Sequence, residues 1–156
     1  MEKVIVREIN NKFYVNKEYY DKIGRLGKLE DNYILLEPEE ILYGLKKGWI
    51  KLENINNFID FIRKYKEKID MKKYYIFEDL RNKGYYVGID KNLIILYEDE
   101  KKEKIKYYIY PIFENEFLDF IEILKIMEEK NINTILLGII DIERDIVYYE
   151  VNKIYL

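Results

Sequence analysis

The sequence predicts an α/β (α+β) protein made of two lobes, and three observations lead to this prediction. Short segments in which apolar and polar residues alternate, the pattern of strands, recur throughout the 156 residues. Segments with apolar residues at helical spacing stand between them. Two successive helical segments near the middle of the chain separate two groups of strands. We therefore expect a small N-terminal α/β domain over residues 1–70 and a C-terminal domain with a mixed sheet over residues 71–156.

The N-terminal lobe is expected to start with a β-hairpin and to contain one well-bounded helix. Its predicted strands cover residues 3–6, 12–15 and 33–36. Asn10 and Asn11 form a natural turn pair between the first two strands. Pro38 suits the first turn of a helix, and Gly48 suits the residue that ends it. These two signals predict a helix over residues 38–47.

The rest of the chain predicts three helices and five strands. Two consecutive helices are expected between residues 56 and 84, with a break near Asp70. The strands are predicted over residues 85–87, 93–97, 106–112, 134–140 and 146–155. An amphipathic helix over 116–130 is expected to bury a stripe formed by Phe117, Phe120, Ile121, Leu124 and Met127. The last strand could remain an edge that seeks a partner.

The composition limits the chemistry that the chain can perform. The sequence contains no cysteine, histidine, serine, alanine or glutamine, and Thr134 is its single threonine. Disulfides, thiolate zinc sites, serine or cysteine nucleophiles and imidazole bases are therefore excluded. The net charge of -3 argues against a protein that wraps nucleic acid without a partner.

Targeting signals are not recognisable in the sequence. No apolar run approaches the about 20 residues that span a bilayer, and the first residues lack the order of a signal peptide. We expect a soluble, cytoplasmic protein without a membrane partner. Its high content of Lys and Glu is typical of thermophilic proteins.

Five stretches of the sequence carry a family resemblance. They are Leu36–Tyr43 with Lys47 and Gly48, Phe77–Val87, Leu96 with Tyr97, Tyr107–Pro111, and Asp141 with Asp145–Tyr149. In this order they resemble the archaeal tRNA-splicing endonuclease family, over nearly all of the chain from residue 33 onward. The resemblance implies that the C-terminal domain is a nuclease-like α/β domain.

The resemblance also implies a reaction, in which pre-tRNA is cut at intron boundaries without a metal or other cofactor. The ribose 2′-hydroxyl attacks the adjacent phosphate, which needs a base, an acid and a cation. The family uses a tyrosine, a histidine and a lysine, and the matching positions here hold Tyr97, Lys104 and Asn133. A lysine, with an ordinary pKa of about 10.4, is a poor proton donor for this step, and Asn133 carries no charge. The predicted helix over 116–130 also lacks the arginines with which the family holds flipped bases, so we predict a non-catalytic structural subunit.

Two features that the resemblance assigns to assembly are present. An acidic turn that inserts into a neighbouring subunit would consist of Asp141, Glu143 and Asp145. A terminal strand that pairs two subunits would include Ile146, Val147, Tyr148 and Tyr149. These features predict a heterotetramer with a catalytic endonuclease subunit, which binds pre-tRNA once assembled. The alternatives are a solvated hairpin turn and an interior strand of the chain's own sheet.

Three other functions remain open. Asp90, Glu100 and Lys102 loosely match the arrangement in which carboxylates bind Mg²⁺ and a lysine steadies the nucleophile. A self-sufficient homo-oligomeric endonuclease would use Tyr97 and Lys104, with Lys130 supplying the cation. An RNA-binding or assembly factor without any nuclease partner is the third.

Overall fold

The structure is a computed structural model that describes residues 2–156, and it is an α+β fold with two mixed sheets and four α-helices in these residues. The predicted fold class is confirmed. The chain divides into two compact units, Met1–Glu78 and Asp79–Leu156. The predicted domain boundary between residues 70 and 71 stays a prediction, because one helix, α3 (Met71–Asn82), begins there and continues past residue 78. None of the helices within residues 2–156 is long and apolar enough to cross a bilayer.

The first unit contains one five-stranded sheet and two further α-helices. The strands are β1 (Val4–Ile9), β2 (Lys12–Asn16), β3 (Lys28–Leu29), β4 (Tyr33–Leu36) and β5 (Ile50–Leu52), and the helices are α1 (Pro38–Lys47) and α2 (Phe58–Tyr65). The sheet order is β3-β4-β2-β1-β5, with β1 and β5 parallel. The inner face of the sheet meets α2 through ring contacts of Phe13 with Phe61 and Tyr65, at 5.9 and 5.2 Å between centroids.

Local turn signals mark the hairpin and helix α1 in this unit, although β1 covers Val4–Ile9 rather than the predicted residues 3–6. Asn10 and Asn11 both have positive φ, 51° and 64°, as the turn of a two-residue hairpin requires. Pro38 opens α1, and Gly48 ends it in the left-handed conformation with φ 77°. The hairpin and the helix are therefore confirmed. The short strands β3 and β5 were not predicted, because two or three residues are too few to show alternation.

Two glutamates of α1, Glu39 and Glu40, are buried. Glu40 accepts hydrogen bonds from the backbone N–H groups of Gly27, at 2.6 Å, and Glu37, at 2.9 Å. Glu39 accepts one from Asp70 N–H at 2.9 Å. Burial raises the pKa of Glu39 despite that hydrogen bond and the nearby Lys73 ammonium. Both carboxylates thus tie separate segments to the start of the helix.

The second unit contains a second five-stranded sheet and one helix of its own. Its elements are β6 (Val87–Asp90), β7 (Leu93–Tyr97), β8 (Ile105–Phe113), α4 (Phe120–Lys130), β9 (Thr134–Ile140) and β10 (Ile146–Asn152). The sheet order is β10-β9-β8-β7-β6, with β8 and β9 parallel. Helix α4 buries Ile123 and Met127 against Leu93, Ile135 and Leu137 of the sheet. Strand β10 is an edge, so the alternative of an interior strand is wrong.

The face of α4 that is buried is not the face that the sequence predicted. The helix starts at Phe120 rather than at residue 116, because Asp119 caps it by accepting a hydrogen bond from Glu122 N–H. Of the predicted stripe only Met127 is buried, while Phe117, Phe120, Ile121 and Leu124 are exposed. The helix is apolar on more than one flank, so spacing alone could not select the buried one. Strand β6 also begins at Val87 instead of Tyr85, and β10 ends at Asn152 instead of Tyr155.

Candidate functional site

Tyr97 and Lys104 lie together at the loop end of the β7–β8 hairpin. Tyr97 is the last residue of β7 and is aligned with Ile105, the first residue of β8, after a β-bulge. Lys104 directly precedes Ile105, and its carbonyl accepts a hydrogen bond from Glu98 N–H at 3.0 Å. This bond closes the charged loop of residues 98–104. The two side chains therefore start from neighbouring strand ends.

Asn133 lies at the same end of the sheet. Strand β9 runs parallel to β8, with Leu136 aligned with Ile109. When this register is followed three residues back along both segments, Asn133 comes to lie beside Lys106. Lys106 is one position after the start of β8. Tyr97, Lys104 and Asn133 thus stand at the ends of three adjacent strands, as the resemblance implied for them.

The environment of Tyr97 fixes its ring. The half-buried ring lies against Gly88 of β6, where a methyl group in place of the glycine hydrogen would stand 3.1 Å from both Cε2 and the hydroxyl oxygen. Glycine at this position therefore allows the ring to lie on the backbone. Lys104 and Asn133 are exposed. The three strand ends present a phenol, an ammonium and a neutral amide.

Lys130, the alternative cation, is held elsewhere. Its ammonium is hydrogen-bonded to the Asp90 carboxylate and lies 5.2 Å from the centroid of the Tyr108 ring. The hydrogen bond to Asp90 is the main cause that raises the Lys130 pKa. Asp90 is aligned with Leu93, at the opposite end of β7 from Tyr97. Lys130 is therefore neutralised by a carboxylate and placed away from the strand ends.

The same geometry separates the residues of the alternative magnesium site. Asp90 lies at one end of β7, whereas Glu100 and Lys102 lie in the loop beyond its other end. The four steps from Leu93 to Tyr97 measure about 14 Å. Across residues 2–156, no three acidic, His or Cys side chains form a group that could hold a metal ion. The structure therefore does not bring together the three residues of the magnesium-nuclease alternative.

The first residue of the acidic turn between β9 and β10, Asp141, holds the turn in shape. The Asp141 carboxylate accepts hydrogen bonds from the N–H groups of Glu143, at 2.8 Å, and Asp145, at 2.9 Å. The Glu143 and Asp145 side chains are exposed, and Ile142 between them is 86% exposed. Asp141 therefore shapes the turn, while Glu143 and Asp145 present negative charge to the outside.

Strand β10 uses its two faces differently. Its predicted interface residues are Ile146, Val147, Tyr148 and Tyr149. The Tyr148 hydroxyl donates to the Asp79 carboxylate at 2.7 Å, and burial raises the pKa of this tyrosine. Val147 and Tyr149 point to the other face and are 51% and 56% exposed. On that face Val151 packs against the core under α4, so Val147 and Tyr149 lie on the α4 side of the sheet.

An exposed flank of α4 was missed by the sequence analysis. Glu122 accepts a hydrogen bond from the Tyr110 hydroxyl of β8 at 2.8 Å, which sets that flank of the helix toward β8. Phe120 and Leu124 are two positions away, about 200° around the helix, and so face the β10 side. We call the resulting apolar area the edge surface. It consists of Phe120, Ile121, Leu124, Val147 and Tyr149, each exposed.

The fold, with three polar side chains at adjacent strand ends of its second unit, defines a nuclease-like α+β protein. No model of a protein family matches the chain. Curated proteins named tRNA-splicing endonuclease are nevertheless similar to nearly all of it. The chain is thus similar to tRNA-splicing endonucleases along nearly its whole length, and the resemblance found in its sequence is confirmed.

These relatives come from several archaea. The protein of Pyrococcus furiosus is 28% identical over 152 residues, which cover 90% of this chain and 84% of that protein. The protein of Methanococcus vannielii is 26% identical over 164 residues, covering 88% and 89% of the two chains. The protein of Methanococcus maripaludis is 27% identical over 164 residues, which again cover 88% of this chain and 89% of that protein. The similarity extends through both units.

Proposed function

We propose that this chain is a non-catalytic, structural subunit of a tRNA-splicing endonuclease. It assembles in the cytoplasm with a catalytic subunit, as a heterotetramer, and the complex excises introns from pre-tRNA. The observation that carries the proposal is the set of groups at the three strand ends: Tyr97 is present, but Lys104 and Asn133 stand where an acid and a cation are needed.

The chemistry of the cleavage explains why these residues are insufficient. Attack of the 2′-hydroxyl on the phosphate yields a 2′,3′-cyclic phosphate and a 5′-hydroxyl end, and the leaving oxygen must receive a proton. A lysine ammonium is a poor donor near neutral pH compared with an imidazole. Asn133 cannot stabilise the extra negative charge of the transition state as a fixed cation does. Lys130 would have to leave Asp90 before it could serve.

Two surfaces support a role in assembly. The exposed carboxylates of Glu143 and Asp145 stand on a turn that hydrogen bonds hold in shape, so they can orient and steer a basic partner. The edge surface combines an unpaired strand with apolar side chains, a combination that invites association unless another chain covers it. We infer that the catalytic subunit covers it.

A mixing assay tests the proposal. This chain, a catalytic endonuclease chain, and both together are each incubated with intron-containing pre-tRNA in EDTA. We expect cleavage only when both chains are present. Metal-independent intron excision by this chain alone, free of any second polypeptide, would refute the proposal.

A self-sufficient homo-oligomeric endonuclease is the second candidate, because Tyr97 and Lys104 are retained side by side. It predicts that Tyr97→Phe and Lys104→Ala each reduce cleavage by the purified chain. The structural-subunit proposal predicts that both variants support the mixed complex as well as the unchanged chain does. Tyr155→Phe, an exposed tyrosine outside the strand ends, is the matched control.

A further inference from the structure

The outer face of the first-unit sheet lines an open cavity with a volume of about 510 Å³. Side chains of alternate residues on β1, β2, β4 and β5 line it, because every second residue of a strand points to the same face. Ile5 is aligned with Lys51, and Arg7 with Tyr14. We call this area the platform. It is defined by Ile5, Arg7, Tyr14, Tyr33 and Lys51.

Aromatic rings on the platform are available to a ligand. The Tyr14 and Tyr33 rings meet edge to face, with centroids 5.9 Å apart, and Tyr33 is 54% exposed. Tyr19 also lines the cavity. Exposed rings on a sheet surface stack on unpaired nucleobases, whatever the base, because every base has a π-face.

The platform is also positively charged within a protein of net charge -3. Its lining includes four basic side chains and only two acidic ones, namely Lys3, Arg7, Lys22, Lys51, Glu2 and Glu18. The side chains of Arg7 and Lys51 form no ion pair with any residue in the range 2–156. Cations without a carboxylate partner are free to bind phosphate.

We propose that the platform binds unpaired nucleotides of RNA. Bases stack on Tyr33 and Tyr14, and Arg7 and Lys51 contact the phosphates. The four strands from β5 to β4 span about 14 Å, a width on which sheet-based RNA-binding modules stack two or three bases. This inference goes beyond the proposed function, because it concerns the first unit and holds whether or not the chain takes part in cleavage.

The test measures binding of the whole chain to a labelled 12-nucleotide single-stranded RNA by fluorescence anisotropy over a salt series. Arg7→Gln with Lys51→Gln should weaken binding at least about tenfold and make the salt dependence shallower by about 1.4 log units per log unit, as the loss of two phosphate contacts requires. Tyr33→Leu should weaken binding by about 5- to 150-fold, the cost of a lost stacked base. Lys64→Gln with Lys66→Gln removes the same charge from the α2 side of the unit and should change little.

Two controls distinguish RNA binding on the platform from a loss of the fold and from a general attraction to phosphate. Thermal unfolding of each variant shows that the fold is kept, and an RNA duplex of equal length should bind more weakly than the single strand. Equal binding by the platform and control variants would overturn the proposal, as would tighter binding of the duplex. The proposal would also be overturned if the platform variants lowered only association with another protein and left RNA affinity unchanged. Because no cleavage is measured, failure here is distinct from failure of the mixing assay.

Discussion

The ammonium of Lys130 and the carboxylate of Asp90 are hydrogen-bonded across 40 residues of sequence, joining the end of α4 to the end of β6. Both side chains are less than one-third exposed. The pair holds a lysine that is close in sequence to Asn133 on a carboxylate at the opposite end of β7 from Tyr97. It also gives the first prediction.

Asp90→Asn should lower the free energy of unfolding at pH 7 by about 1 kcal/mol, because it removes a charge-assisted hydrogen bond. Asp90 raises the Lys130 pKa, so the stabilisation is fully present below the unfolded value near 10.5 and is lost as pH rises through the folded value. The difference between the variant and the unchanged chain should therefore shrink above pH 10.5. Urea unfolding at pH 7 and at alkaline pH measures it. A difference that grows with pH would contradict the assignment.

The glutamates of α1 predict opposite outcomes for the same substitution. Glu40→Gln leaves one acceptor oxygen where two backbone N–H groups donate, so one donor is unsatisfied and stability should fall by about 1–3 kcal/mol. Glu39→Gln keeps an oxygen for Asp70 N–H and removes a charge that burial disfavours. Its stability should equal or exceed that of the unchanged chain at pH 7. Denaturant unfolding of the two isosteric variants compares them directly.

The pH dependence of the Glu39 effect has a defined sign. The folded pKa of Glu39 is raised above 4.5, so the folded state favours the protonated carboxyl. The contribution of this group to stability is therefore greatest at low pH and declines as pH rises from 4.5 through the folded value. Glu39→Gln should remove this decline. An unchanged pH profile in the variant would show that the carboxyl is not perturbed.

The hydroxyl of Tyr65 predicts a loss of stability at alkaline pH. It donates to Glu8 at 2.7 Å, and burial together with this bond raises its pKa to about 12. The unfolded tyrosine ionises near 10, so the stabilisation is complete below pH 10 and is lost between about pH 10 and pH 12. Tyr65→Phe should cost about 1 kcal/mol at pH 7 and less at pH 11. Tyr155→Phe, which changes an exposed tyrosine, should show neither effect.

Local signals in the sequence predicted the helix that is bounded by Pro and Gly and the strands that are marked by a continuous apolar run. Helix α1 and strands β7 and β9 have the predicted bounds, because Pro38 and Gly48 restrict the backbone and five to seven apolar residues mark a covered strand. Features that depend on distant contacts could not be predicted in this way. The inward flank of α4, the burial of Glu39 and the partner of Lys130 each depend on another segment of the chain.

The candidate site divides along the same line. Tyr97, Lys104 and Asn133 were placed by matching segments to a family, and their common position follows from strand register. The platform was not predicted, because alternation along β1 and β2 does not reveal that the second face of a sheet stays uncovered. The distribution of charge over a face depends on which strands are neighbours. The net charge of -3 for the whole chain therefore did not reveal that one face of the first unit is basic.

The acidic turn makes the last prediction, which concerns assembly. Glu143→Lys with Asp145→Lys reverses the exposed charges but keeps Asp141, whose carboxylate holds the turn in shape. If the turn docks into a basic cleft, this variant should lose co-sedimentation with the catalytic subunit and the cleavage that depends on it, because like charges across an interface repel. Glu53→Lys with Glu67→Lys makes the same change in charge on the first unit and should assemble normally. Unchanged assembly of the turn variant would show that the carboxylates belong to an ordinary solvated turn.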